Sequence, residues 1–187
     1  MMKKVLLTAV VLGLASTAAQ ANDVSGYVTG SVGQTDSKGF NTNKKFGHKV
    51  VVGLQANQYV ALEAQYTDLG KPKDKGYVVD NFGNAYNAKG TAETRGLGAN
   101  IVGTLPLDDF KLFAKAGYHK METKVKIKAA GLGSVSSKDR EWVPSLGIGA
   151  GYALTPELDV VAEYERYKDV ADDYNVDFAS VGIRYKF

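Results

Sequence analysis

The chain contains no cysteine, so disulfides and thiolate-bound metals are excluded. Proline is scarce, at four residues in 187, and histidine scarcer still, at two. A charge excess of one sign is also missing. The 23 basic and 20 acidic residues leave +3, too near balance to suggest a nucleic-acid partner. Beyond about the first 20 residues no run is apolar enough for a spanning helix. This excludes helical membrane proteins. It does not exclude a closed membrane barrel, in whose strands only alternate residues are apolar.

The first residues read as an address. Lys3 and Lys4 precede an apolar run from Val5 to Ala15, and a small, polar stretch follows to Ala19-Gln20-Ala21. A charged start, an apolar middle and an A-x-A finish are the parts of a secretory signal peptide. Residues 1–21 are therefore expected to be a leader, cleaved after Ala21 with Ala19 and Ala21 as recognition positions, and 22–187 one exported domain.

The rest reads as strands. Val50-Val-Val-Gly-Leu-Gln-Ala56 and Tyr59-Val-Ala-Leu-Glu-Ala-Gln-Tyr66 alternate bulky apolar residues with small or polar ones, the period-2 signal of a strand with two unlike faces. The pattern recurs at about 24–34, 45–56, 59–68, 93–104, 110–121, 141–154, 159–167 and 175–187. Turns at Asn57-Gln58, Leu105–Asp109 and Leu154–Glu157 are short, whereas polar segments at about 35–44, 69–92, 122–140 and 168–174 are long. The expected fold is all-β, an eight-stranded antiparallel up-and-down transmembrane β-barrel with the long connections on the extracellular side. An even strand number returns both ends to the periplasmic side.

A soluble lipocalin-like barrel also has eight strands, but its apolar residues point inward. Here one face carries Val50, Val52 and Leu54; Leu112, Ala114 and Tyr118; Leu146, Ile148 and Tyr152; and Val181, Ile183 and Tyr185. The opposite face carries Gly53, Glu63, Gln65, Lys115, Gly117, His119, Gly147, Gly149, Gly151, Glu163, Glu165, Ser180, Gly182 and Arg184. Glycine is out of place on a solvated exterior but suits an eight-stranded interior with room for little more than side chains. The apolar face is thus assigned to lipid. Tyr59, Phe110, Trp142, Tyr152, Tyr164, Tyr167 and Phe187, near strand ends, are expected in interfacial girdles.

Four stretches are together family-like: Leu62-Glu-Ala-Gln-Tyr-Thr-Asp-Leu-Gly70, Val102-Gly-Thr-Leu-Pro-Leu107, Leu112-Phe-Ala-Lys-Ala-Gly-Tyr118 and Val181-Gly-Ile-Arg-Tyr-Lys-Phe187. In order and spacing the chain resembles the small eight-stranded outer-membrane proteins of the OmpA transmembrane-domain, OmpX and opacity-protein type. The resemblance implies the outer membrane of a Gram-negative envelope, Sec-dependent export and a monomer. It also implies a closing signal in Ile183, Tyr185 and Phe187 for the barrel-assembly machinery. The chain stops at Phe187, so tethering through a periplasmic peptidoglycan-binding domain is not expected.

Glu63, Lys115, Glu163 and Arg184 share the inward face on four strands. Unpaired charge in so narrow an interior is costly, so a paired lumen network is expected. It serves as a fixed electrostatic core or, alternatively, as the gate of a narrow, low-conductance channel. A wide pore is not expected, since open porins use about 16–18 strands. No H-E-x-x-H, G-x-S-x-G or phosphate-loop pattern is present. His48 lies among lysines and His119 in the inward register. The chain is read as a non-enzyme without metal or cofactor. Lys71, Lys73 and Lys75, with Lys124, Lys126 and Lys128, lie in the long connections. They are candidates for recognition of lipopolysaccharide phosphates or of an anionic extracellular or host ligand. The alternation at 124–128 also suggests a strand continuing above the membrane, whose edge could add a partner strand. The expected role is structural and surface-exposed, supporting envelope integrity; the alternative is a surface adhesin or host-factor-binding protein.

Overall fold

A computed structural model describes residues 25–37, 45–71, 73–79, 85–129, 133–170 and 174–187. The leader positions Ala19 and Ala21 lie outside them. Nine strands occur among the described residues: β1 Ser25–Ser37, β2 Lys45–Gln55, β3 Val60–Asp68, β4 Lys73–Val79, β5 Ala85–Leu107, β6 Phe110–Ala129, β7 Gly133–Ala153, β8 Leu158–Val170 and β9 Tyr174–Lys186. Every strand pair is antiparallel. Eight strands close a barrel in the order β1-β2-β3-β5-β6-β7-β8-β9, with β9 returning to β1. Closure leaves the barrel wall no free edge, the condition for strands to cross hydrocarbon. At the seam the Phe187 amide donates to the Gly26 carbonyl and the Gly26 amide to the Phe187 carbonyl, both at 2.9 Å.

The ninth strand corrects the expectation of a loop at 69–92. β4 pairs with the upper part of β5, from Lys73 opposite Thr91 to Val79 opposite Ala85. The expected loop at 122–140 is likewise mostly ladder, since β6 and β7 stay paired from Phe110–Tyr152 up to Ala129–Gly133. The 69–92 segment carries too few alternating apolar residues to show the signal by which the lower strands are recognised, whereas 124–128 keeps that alternation as Lys-Val-Lys-Ile-Lys. The extension anticipated at 124–128 lies within β6.

The periplasmic turns are short and locally capped. Asn57 Oδ1 accepts from the Tyr59 and Val60 amides at 2.8 and 2.9 Å. Thr155 Oγ1 accepts from the Glu157 and Leu158 amides at 3.3 and 3.1 Å. Asp108, between β5 and β6, takes φ 53°, a left-handed geometry that aspartate tolerates better than most residues.

The faces are as the alternation predicts. Leu62, Ile148 and Val181 point away from the axis, 57–64% exposed. Glu63, Gln65, Lys115 and Glu165 point toward it, at 4% or less. A lipocalin-like interior is excluded by this orientation. On β7 the outward face runs from Trp142 to Tyr152. Ten residue steps at about 3.4 Å, tilted by about 40°, rise about 26 Å, matching the apolar band of outer-membrane barrels. Tyr59, Phe110, Tyr152 and Phe187 ring the lower margin and are exposed. Tyr118 and Trp142 stack at the upper margin, ring centres 6.0 Å apart. Tyr167 is a correction: it is wholly buried, because it shares the inward parity of Glu163 and Glu165.

Inward glycines leave space for rings to lie flat. A Cβ on Gly53 would meet the Tyr27 ring, and one on Gly149 the Phe113 ring.

The facing gives a direct prediction. Ile148, 64% exposed in the middle of the β7 band, becomes an unpaired charge in hydrocarbon as Ile148→Arg. The expected loss is about 2–4 kcal/mol, read by urea unfolding in lipid vesicles. A loss below about 0.5 kcal/mol would mean that this face meets water.

Candidate functional site

Inside the barrel three cations and three carboxylates meet at mid-height. Lys115, from β6, lies 2.6 Å from Glu163, 3.4 Å from Glu165 and 3.7 Å from Glu63. Lys49, from β2, lies 2.5 Å from Glu163 and 3.2 Å from Glu165. Arg184 reaches Glu63 at 3.7 Å and stacks over the Tyr27 ring, 4.3 Å from its centre. The structure thus brings together Glu63, Lys115, Glu163 and Arg184, and adds Lys49 and Glu165.

Neutral groups take up most of the remaining valences, with Glu165 Oε1 and His119 Nδ1 left without a hydrogen-bond partner. Tyr27 Oη donates to Glu63 at 2.7 Å, Lys115 to Gln65 Oε1 at 2.7 Å, and Gln65 Nε2 to Glu165 at 2.9 Å. Asn100 Nδ2 donates to Gln65 Oε1 at 3.0 Å, and Asn100 Oδ1 meets His119 Nε2 at 2.9 Å. Such satisfaction is what makes a buried ionic cluster tolerable. His119, fully buried, belongs to this network, whereas His48 points outward on β2.

Apolar layers bracket the charges. Toward the extracellular end lie Leu69, Met121, Val143, Tyr167, Val170, Val176 and Phe178. Toward the periplasmic end lie Tyr27, Val51, Ala61, Val102 and Phe113. Below these, Asp159 takes Lys111 at 3.0 Å and Lys186 at 2.8 Å. Mobile ions would have to pass both apolar clusters as well as the charged one, and the lower cluster is itself threaded by the Arg184 guanidinium, 4.3 and 5.4 Å from the Tyr27 and Phe113 ring centres.

Of the lysines named from sequence, Lys71 and Lys124 are exposed, outside this lumen. Lys73 and Lys75 fall on β4, Lys126 and Lys128 on upper β6. Lys71 pairs with Glu93 at 3.1 Å and Lys124 with Glu122 at 3.0 Å. Glu122 also holds Lys138 at 3.0 Å and Arg140 at 2.8 Å. Hydrogen bonds from Arg140, then Lys138 and Lys124, lower its pKa to about 2. A depressed carboxylate stabilises the fold above its ordinary pKa, and that contribution is lost as pH falls through the folded value. The expected Glu122 titration midpoint, followed by carboxyl NMR, is about 2, rising in Arg140→Ala. A midpoint of about 4.3, the free-glutamate value, would show that the cations do not gather on it.

Ile183 and Tyr185, on the outward face of β9, and Phe187, just past its end, are 40–54% exposed. Their alternate placement leaves them accessible along one wall.

A sequence profile described as the outer membrane protein beta-barrel domain matches residues 5–187. Outer membrane protein A of Salmonella typhi is 30% identical, and that of Shigella flexneri 29%, each over 203 aligned residues covering 100% of this chain and 56% of the relative. The chain thus spans about half the length of the curated relatives it matches. Among solved structures, Yersinia pestis Ail bound to the heparin analogue sucrose octasulfate superposes with TM-score 0.61 at 16% identity, covering 88% of this chain and 98% of Ail. Neisserial surface protein A gives 0.58 at 18%, covering 89% and 98%. A major outer membrane protein of Thermus thermophilus gives 0.63 at 12%, covering 88% and 99%. At these identities the structures speak for the fold.

Proposed function

Because the chain belongs to the outer membrane protein beta-barrel domain family, we propose that it is a non-enzymatic, monomeric barrel that supports the envelope and carries a recognition surface outside it. Its location is the outer membrane. The observation that carries the structural reading is the filled lumen: a charge-balanced network between two apolar layers. Such an interior favours a plug over the alternative of a salt-bridge-gated channel. Planar-bilayer recording of the full chain, and of Glu63→Ala and Lys115→Ala, is expected to give no discrete openings. Steps that appear in either variant but not in the parent would restore the gate.

A second reading, adhesion or host-factor binding, is favoured by one feature of the ladder. Among the described residues β7 pairs with β8 only from Ser145 downward, so Gly133–Pro144 have β6 on one side and no described β8 partner on the other. Such an edge can accept an extended partner strand. Shortening the hairpin between the opposed residues Glu122 and Arg140 is expected to abolish cell adhesion while leaving heat-modifiable gel migration intact. Adhesion that persists would remove this reading.

Export fits the leader ending at Ala21, and insertion by the barrel-assembly machinery fits the outward Ile183, Tyr185 and Phe187. The bound heparin analogue of Ail supports an anionic ligand for the basic outer surface.

A further inference from the structure

We propose that Lys124, Lys138 and Arg140, gathered on Glu122 with Lys120 beneath them, dock the phosphate group of an outer-leaflet lipid. The inference deepens the reading above and rests on its outer-membrane placement. Three cations share one carboxylate at 2.8–3.0 Å, leaving an excess of two positive charges. Their side chains remain 41–56% exposed. Lysine offers three donors and arginine five, more than two carboxylate oxygens can take.

The ladder supplies a second, independent observation. Lys124 stands directly opposite Lys138, and like charges in that relation are destabilising. Glu122 offsets only part of this repulsion. An added dianion would offset the rest.

Side and height select the source of the phosphate. Lys120, Glu122 and Lys124 continue the parity of Leu112 and Tyr118, while Lys138 and Arg140 continue that of Trp142 and Ile148. All therefore lie on the wall side, in line with the lipid-facing residues. Of the neighbouring acids, Asp139 and Glu141 have the opposite, axis-side parity, and Asp139 Oδ1 accepts from the Arg140 amide at 2.8 Å; Glu93, on the wall side of β5 opposite Lys124, is held by two further cations, Lys71 and Arg95. Arg140 stands two residues above Trp142, about 5 Å higher along the membrane normal. Headgroups occupy about the first 5–7 Å beyond the hydrocarbon. Lys120 completes the lower edge, its ammonium 5.9 Å from the Trp142 ring centre. A soluble anion would not require this alignment with the lipid face.

Trp142 is the sole tryptophan and sits against the site, so its emission is the readout. The full chain, folded in zwitterionic vesicles, is titrated with bis-phosphorylated lipid A, with lipid A stripped of phosphate, and with inorganic phosphate. A saturable change is expected with the phosphorylated lipid alone. At about 1 kcal/mol per cation near an anionic surface, Lys138→Ala/Arg140→Ala weakens the half-saturation point by about thirtyfold. Lys168→Ala, elsewhere on the wall, leaves it unchanged. Heat-modifiable migration verifies that each variant is folded, and Lys120→Ala alone gives a shift of several-fold should the double variant fail to fold. Equal responses to phosphorylated and stripped lipid would overturn the phosphate site. Equal saturation by inorganic phosphate would overturn the lipid source. Failure to insert into vesicles at all would instead overturn the outer-membrane reading.

Discussion

Lys115→Met is expected to destabilise the barrel by about 3–5 kcal/mol, the cost of leaving a buried ionic cluster with one partner missing. Lys115 is 4% exposed and approaches three carboxylates. Lys49 still reaches Glu163 and Glu165 at 2.5 and 3.2 Å, but three carboxylates then face two cations. Methionine preserves most of the volume, so the loss reports charge more than packing. Adding Glu165→Gln restores the balance and keeps an amide near Gln65. The double variant is therefore expected to recover a substantial part of the loss. Urea unfolding in vesicles, followed by Trp142 emission, measures both. A single-variant loss under about 1 kcal/mol would mean that water enters and screens the cluster. A double variant no better than the single would mean that the network depends on its particular bonds, not on its charge count.

The parity that turns Lys115 inward also made much of the barrel legible in the sequence. Between the aromatic margins every strand separates hydrocarbon from a cramped interior, so side-chain type follows parity and Glu63, Glu163 and Arg184 could be assigned from it. The same parity would have found Lys49 two residues from Val51 on β2. It was obscured by Lys44, Lys45 and His48, which make that strand end look merely solvated. Tyr167 was hidden differently: an aromatic near a strand end has two homes, a girdle and a lumen cap, and only its two-residue spacing from Glu165 separates them. The Asn100–His119 contact and the gathering on Glu122 depend on register between strands. That register follows from turn geometry and extension length, which local composition does not encode. Beyond the membrane the demand for an apolar residue at every second position is relaxed, so the period-2 signal fades over 69–92 although the ladder of β4 with β5 continues there.

The apolar caps make the second large prediction. Phe178 is fully buried beside Tyr167, Val143 and Val176, and its ring lies 5.7 Å from the Lys49 ammonium. Gly47 leaves room for it, since a Cβ there would stand 2.9 Å from the ring. Phe178→Ala removes a side chain that the closed, hydrogen-bonded wall cannot collapse to replace, so the expected loss is about 3–5 kcal/mol. Leucine, which refills part of the space, is expected to lose less than half of that. The same variant separates packing from conduction. With Phe178 gone, ions still meet the salt-bridged layer and then Tyr27, Val51 and Phe113, so bilayer recordings are expected to stay silent. Openings in Phe178→Ala alone would identify the upper cap as the sole barrier and turn the filled lumen from a plug into a gate with one leaf.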